Sequence, residues 1–422
     1  MDDNLAEMTG WRALGLDGPP ELTDQDQAER DEIGARIAQT RRKLGMTGTK
    51  LAELVELRKD QISKIESGRR GVDVGELPRF ADALGVSVRS LLGMPERPAM
   101  AISARLASDA LPTATAPARR LARQLLGYDD LLDQIGESRP ARPSEHGARV
   151  VEQAATEFVD APTTKTRARA QGLALAELVR AELDLGSDML GDLATVIEMH
   201  FAVDVSLAPL GVEADGLCVH AGSTSLIVAS SDYSDGHLRF TLAHELAHHL
   251  FGDPRGFIEE DEHAMFADGA IEWRANAFAG HLLMPERGVR SVLDWIRERP
   301  AALTDRAVAA LMEHFGVSRQ ALLYQLNLLG LLSYADGKRI CREHTVTELI
   351  DAHRDVAPTG AAMAVSRVYR APRRLVHQAT VAAREERTGL TIIAGLLRRE
   401  DDETLWNEIM GTEPGPTTPV PL

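Results

Sequence analysis

One ten-residue stretch constrains this chain more than any other: Thr241-Leu242-Ala243-His244-Glu245-Leu246-Ala247-His248-His249-Leu250. Its leucines and alanines fit a buried helix. Residues four apart on a helix share a face, so the imidazoles of His244 and His248 converge on one point. Neutral imidazole suits zinc, and a catalytic zinc takes three protein ligands and keeps one position open. Glu245 sits one step round the helix, where it reaches a water at that open position and serves as general base. His249 lies about 100° round from His248 and is read as a packing or surface histidine.

The third ligand has to come from elsewhere. The metzincin pattern HExxHxxGxxH fails, because Phe251 stands in the glycine position and Pro254 in that of the last histidine. Twenty-four residues past His248, EWRANAFAGHLLMP at 272–285 reads as a second helix, ended near Pro285. Glu272, Ala275 or Asn276, and Ala279 share a face there; the small residues let this helix pack close to the first, with Glu272 aimed at the metal. Glu259, Glu260, Asp261, Glu262 and His263 compete as ligands, in a stretch that reads more naturally as a solvated loop. His281 is read as structural, and Cys218 as a small buried residue.

At 422 residues the chain is too long for one ordinary domain. No apolar run reaches the roughly 18–20 residues of a membrane span, and the acidic start MDDNLAEMTG is no secretory signal. Two distant cysteines, Cys218 and Cys341, exclude a disulfide scaffold or thiolate zinc finger and fit a reducing cytoplasm. A net charge of −17 argues against indiscriminate coating of nucleic acid. The charge is uneven, however. Residues 1–31 hold nine acids against two bases and read as a disordered acidic tail, whereas 32–92 hold twelve bases against eight acids. Beyond a basic module of short helices at 32–95, residues 96–125 read as an Ala/Pro/Ser/Thr-rich linker. A metallopeptidase domain with a helical lead-in is expected over 126–333. FAVDVSLAPLG, DGLCVHAG, TSLIVASS and HLRF within 201–240 are read as short β-type runs. A helical region at 334–410 carries arginines on what reads as a solvated face, and 411–422 is a Pro-rich disordered end.

Two resemblances sharpen this reading. RFTLAHELAHHLFGD at 239–253, followed by EWRANAFAGHLLMPE at 272–286, resembles the ImmA/IrrE family of zinc metallopeptidases. GLCVHAGSTSLIVASS resembles the small sheet that precedes the family's active helix, and Phe315-Gly316-Val317-Ser318 its closing helical motif; the likeness spans about 165–333. It implies that His244, His248 and Glu272 bind zinc (or manganese in its place), with Glu245 as the base. Likewise TGTKLAELVELRKDQISKIES at 47–67, with its flanking helices, resembles an Xre/Cro-type helix-turn-helix domain spanning about 33–92. There the second helix enters the major groove, placing Lys59, Asp60 and Gln61 at base edges with Lys64 one turn on. Lys50, Arg69, Arg41, Arg42 and Arg70 are read as phosphate contacts. Gly48 and Glu56 depart from the family pattern, where a Gln and a turn glycine are common.

The expected fold is therefore multidomain and mainly α: an all-α helix-turn-helix domain plus an α+β zincin-like metallopeptidase domain with a small β-sheet. The expected function is a cytoplasmic DNA-binding transcriptional regulator with a zinc endopeptidase domain. It would bind a double-stranded DNA operator as a homodimer and cleave a repressor-type partner protein to control stress or mobile-element genes, without a membrane. The alternatives are a non-proteolytic transcription factor whose metal domain senses a ligand or holds structure, and a toxin–antitoxin or phage-type module.

Overall fold

The computed structural model describes residues 24–73, 75–95, 101–106, 116–211, 214–253, 256–257, 269–296, 303–343, 345–358 and 365–411. The chain forms two compact units, Met1–Glu96 and Arg97–Leu422. Among the described residues no helix is long and apolar enough to cross a membrane.

Among the described residues the first unit is all-helical: α1 Asp24–Lys43, α2 Gly48–Leu54, α3 Lys59–Glu66, α4 Leu77–Leu84 and α5 Val88–Leu92. Helix α1 begins inside the segment expected as a tail, so the last eight residues of that segment are helical. Helices α2 and α5 start where the sequence supplies a cap: the Thr47 hydroxyl accepts from the Lys50 amide, and Ser87 accepts from that of Ser90. The unit closes over Ile37, Leu51, Val55, Ile62, Ile65, Phe80, Leu84 and Leu91, all nearly inaccessible. Gly34 lets α1 cross α3 at backbone contact, since a Cβ there would lie 2.2 Å from the Ile65 carbonyl oxygen.

The second unit is built around a five-stranded sheet of order β2-β4-β3-β1-β5, with β1 Ala101–Leu106, β2 Val203–Ala208, β3 Ala214–Ala221, β4 Thr224–Ser230 and β5 Gly256–Phe257. The β2–β4 pair is parallel and all others are antiparallel. Every position of β2 is buried, as expected when both faces of a sheet are covered. Helices α6 (Ala116–Gln134) and α10 (Asp235–Phe251) both pack on β3 and β4. Helices α7 (Glu145–Glu157), α8 (Lys165–Glu182) and α9 (Leu193–Phe201) precede β2; α11 (Gly269–Leu283), α12 (Glu286–Trp295), α13 (Asp305–Phe315) and α14 (Arg319–Leu328) complete the core around α10. Helix α11 lies closest to α8. A Cβ on Gly172 would meet the Arg274 carbonyl oxygen at 2.6 Å and the Phe278 amide nitrogen at 2.7 Å.

Three expectations are corrected. HLRF at 237–240 is helical, because the Ser234 hydroxyl accepts from the His237 amide and starts α10 there. Residues 101–106 of the expected linker form β1, paired along β3, and α6 starts at Ala116. Part of the C-terminal arginine face is turned inward. After α15 (Tyr334–Glu343) and α16 (Val346–Ala352), Arg370 exchanges backbone hydrogen bonds with Leu207. On α17 (Arg373–Arg384), Arg374 bridges the buried carboxylates of Asp129 and Asp204 at 2.8 and 2.6 Å. Arg387 pairs with buried Glu137, and α18 (Thr391–Leu397) and α19 (Glu403–Met410) follow. Arg370, Arg374 and Arg387 thus act as internal cross-links, which their spacing alone does not disclose, while Arg367, Arg373, Arg398 and Arg399 are exposed as expected. The expected ends, residues 1–23 and 412–422, lie outside the described residues.

Candidate active site and nucleic-acid interface

In the first unit, α2 and α3 flank a turn where Glu56 takes a left-handed conformation (φ 58°), the one that makes glycine common at such a place. Lys59 and Lys64 on α3 are exposed. Gln61 is engaged locally, its Oε1 accepting from the Arg58 amide at 2.8 Å, and Asp60 lies 3.3 Å from Arg58 and 3.8 Å from Lys64. Lys50 pairs loosely with Glu53 at 3.3 Å, and Arg69 donates to Ser67. Two arginines read as phosphate contacts point inward instead: Arg41 makes a bidentate pair with Glu66 at 2.6 and 2.8 Å, and Arg70 pairs with Glu76. Their guanidinium groups brace the module, leaving Arg42, Lys50, Lys59, Lys64 and Arg69 as its outward cations among those expected at DNA.

In the second unit α10 runs from its Ser234 cap to Gly252, whose φ of 60° ends it. His244 and Glu245 are fully buried and His248 nearly so. The two Nε2 atoms lie 3.0 Å apart. From α11, Glu272 places Oε2 3.2 Å from His244 Nε2 and Oε1 3.4 Å from His248 Nε2. One ligand atom from each of the three residues thus lies within 4.8 Å of the others, close enough for one ion. Both outer ring nitrogens are held: His244 Nδ1 lies 3.1 Å from Asn276 Oδ1, and His248 Nδ1 lies 2.8 Å from Asp253 Oδ2. With Nδ1–H donating to these oxygens, each Nε2 lone pair is left facing the cluster. Burial alone would lower the His248 pKa, but the hydrogen bond to Asp253 and the carboxylates of Glu272 and Glu245 outweigh it and pull it up to about 10. Burial would raise Glu272, yet the two imidazoles hold its carboxyl well below the usual range. A two-nitrogen, one-oxygen donor set with satisfied outer atoms fits zinc with a fourth position free. The competing residues 259–263 lie outside the described residues.

Residues 198–327 match the family model of the IrrE N-terminal-like domain, a peptidase family, and residues 32–92 match that of a helix-turn-helix domain. The chain carries both domains. No curated protein matches it at a significant level. Among solved structures, it is similar to the apo form of the competence regulator ComR from Streptococcus vestibularis, at 13% identity over 79% of this chain and 98% of that one, with a TM-score of 0.15.

Sequence reasoning overlooked much of what steadies the IrrE-like domain's cluster. Asp253 follows the Gly252 cap, which turns the chain back so that its amide reaches the His248 carbonyl. Its other carboxylate oxygen pairs with buried Arg274, which also donates to Gln171 and sits 4.0 Å over the Phe251 ring. The detectable signal was Gly-Asp at the end of the helix. Asn276, four residues past Glu272 and on its face, holds His244 Nδ1. His249 turns away and stacks on His220, ring centroids 5.3 Å apart. His281 accepts from Gln325 away from the cluster, and Cys218 is buried with Sγ 3.2 Å from His220 Nε2. A further pair joins the active helix to β3: His237 Nε2 lies 3.2 Å from Asp215 Oδ2. Asp215 is the extra residue where the β1–β3 register shifts, and such bulges re-aim a side chain.

Proposed function

We propose that the IrrE-like domain is a zinc-dependent endopeptidase, with manganese as a substitute ion, joined to a helix-turn-helix domain that reads a double-stranded DNA operator. The observation that carries this is the convergence of His244, His248 and Glu272 beside a buried Glu245. His244 and His248 would hold the ion through Nε2 and Glu272 through a carboxylate oxygen. When bound there, zinc supplies Lewis acidity toward a peptide carbonyl and lowers the pKa of water to about 7. Glu245 does the proton work: its carboxylate takes a proton from the attacking water and returns it to the leaving amine. A site that served structure alone would need no such carboxylate at that step of the helix. Asp253 and Asn276 orient the imidazoles, and Lys59, Asp60, Gln61 and Lys64 meet base edges while Lys50 and Arg69 meet phosphates. The substrate is a repressor-type protein, and its cleavage relieves repression of stress or mobile-element genes in the cytoplasm; operator half-sites are met by a homodimer.

Purified Glu245→Gln should keep its metal and lose cleavage of candidate repressors, while His244→Ala and Glu272→Ala should lose metal. Unchanged metal stoichiometry in both of the latter variants overturns the site. Cleavage that persists in Glu245→Gln overturns the assigned base.

A further inference from the structure

Strand β1 lies in a place that the peptidase reading does not explain. It belongs to the segment joining the two domains, starting five residues after Glu96, yet it is built into the sheet beside the HExxH helix. Its register runs antiparallel along β3, from Ala101 opposite His220 to Arg105 opposite Gly216. Gly216 is the point where β3 comes down onto the active helix: a Cβ there would lie 2.8 Å from Thr241 Cγ2 and 3.6 Å from Glu245 Cγ. Only glycine fits, so the backbone of β3 passes directly over the proposed general base. The backbone that pairs with Gly216 comes from β1, and β1 also touches α10. On its other side Ala101 and Ile102 pair with β5, which begins three residues after Asp253, the residue that holds His248.

An endopeptidase has to fix an extended stretch of substrate backbone beside its base. Pairing with the free edge of a sheet is the general way to hold an extended peptide by its main chain, whatever its side chains. The stretch of β3 that runs beside Glu245 is such an edge, and β1 is already paired to it. We propose that residues 101–106 are a resident occupant of the peptide-binding edge of the IrrE-like domain, so that substrate enters as an extended segment only when this strand leaves. The inference rests on the peptidase reading for its consequence but not for the occupancy itself. It also assigns the connection a role: the segment tethered to the DNA-binding domain is the one that blocks the site. The substrate class that follows is an extended peptide segment held by its main chain along β3, as residues 101–106 are.

The register supplies a lock. Ser103 stands opposite Cys218, and directly opposed strand positions have the spacing a disulfide needs. In full-length Ser103→Cys, oxidation should join residues 103 and 218, as read by mass spectrometry of the cross-linked peptides. The opposite arm is S103P/A104P, which removes a backbone N–H from whichever of the two faces β3. With zinc bound to both variants, Glu245-dependent cleavage of an unfolded repressor-type protein should be lost in the oxidised lock and return on reduction, and should rise severalfold in S103P/A104P. Equal rates in the oxidised and reduced lock overturn the proposal. Occupancy is read separately by the fluorescence anisotropy of a labelled peptide of sequence AMAISARLAS, residues 99–108. It should bind S103P/A104P and the reduced form of Ser103→Cys more tightly than the oxidised form. No difference in binding among the three overturns the proposal even if peptidase activity is found. Differential binding with no cleavage in any form supports the occupancy and counts against the peptidase reading alone.

Discussion

Asp253→Asn separates the two tasks of the group behind His248. Asp253 and Arg274 are 3% and 2% exposed, and Asp253 is the carboxylate paired with that guanidinium. Burial lowers the Arg274 pKa and Asp253 opposes that effect. Asparagine keeps the shape and an oxygen to accept from His248 Nδ1, but leaves Arg274 as a buried, uncompensated cation. Breaking a buried pair from one side costs about 3–5 kcal/mol, here the lower figure because Gln171 and the Phe251 ring still face the guanidinium. Removing a carboxylate behind a histidine ligand weakens metal binding about 10–100-fold. The double variant D253N/R274M removes both charges. Its urea midpoint should return to within about 1 kcal/mol of the parent, since apolar replacement of a buried pair is often neutral. Its zinc affinity, measured by competition with a chromophoric chelator, should stay as weak as in Asp253→Asn. If the double variant recovers metal affinity together with stability, Asp253 acts through packing and does not position His248. If Asp253→Asn binds zinc like the parent, the histidine's partner has no part in the site.

Burial pushes His281 down to about 4, with Glu286 opposing. Its folded pKa lies below the unfolded 6.5, so the unfolded chain binds more protons between these values. Stability is whole above pH 6.5 and falls by about 2–3 kcal/mol as pH drops toward 4; urea midpoints of His281→Asn should show a smaller loss over that window, and an identical loss would refute the assignment. Gly172→Ala should destabilise the chain by about 1–3 kcal/mol, because its Cβ meets backbone atoms of α11 that have no rotamer to yield; a thermal midpoint at or above that of the parent would contradict this packing. Lys50→Ala and Arg69→Ala should each weaken binding to genomic DNA fragments and lower the salt slope by about one, with the thermal midpoint unchanged. Arg41→Ala should lower the thermal midpoint through loss of its Glu66 pair, and a variant as stable as the parent would return Arg41 to the phosphate contacts.

What could be read from the sequence was what short spacing determines. His244 and His248 face one way because they are four apart, and Glu272 and Asn276 share a face for the same reason. Hydroxyl caps such as Thr47 mark where helices start, and the one at Ser234 makes HLRF helical despite its β-type composition. Glu56 was marked as standing in a glycine's place, and its positive φ bears that out. What could not be read depends on partners far along the chain. Arg374 is an ordinary helix arginine until Asp129 and Asp204, some 245 and 170 residues away, are placed around it. AISARL has the composition of a linker, and it becomes a strand because β3 and β5 offer it an edge on each side. Nothing in six residues of sequence specifies that pairing.

The charge around the cluster carries one last consequence. Glu245, Glu272 and Asp253 bring three negative charges into a space that Arg274 supplies with one positive, and Glu245 and Asp253 are almost entirely buried. With both imidazoles neutral the group sits at −2, which a divalent cation balances. Without the cation the deficit draws a proton instead, which is the physical meaning of a His248 pKa near 10. A metal ligand must be deprotonated, so zinc has to displace that proton. Apparent zinc affinity should therefore rise about tenfold per pH unit from 6 through 8, with close to one proton released per ion. An unperturbed histidine would flatten this slope above 6.5. Calorimetry in buffers of different ionisation enthalpy reads the proton count directly. An affinity that levels off above pH 7, with no proton released at pH 8, would show that the carboxylates do not act on His248 as their distances imply.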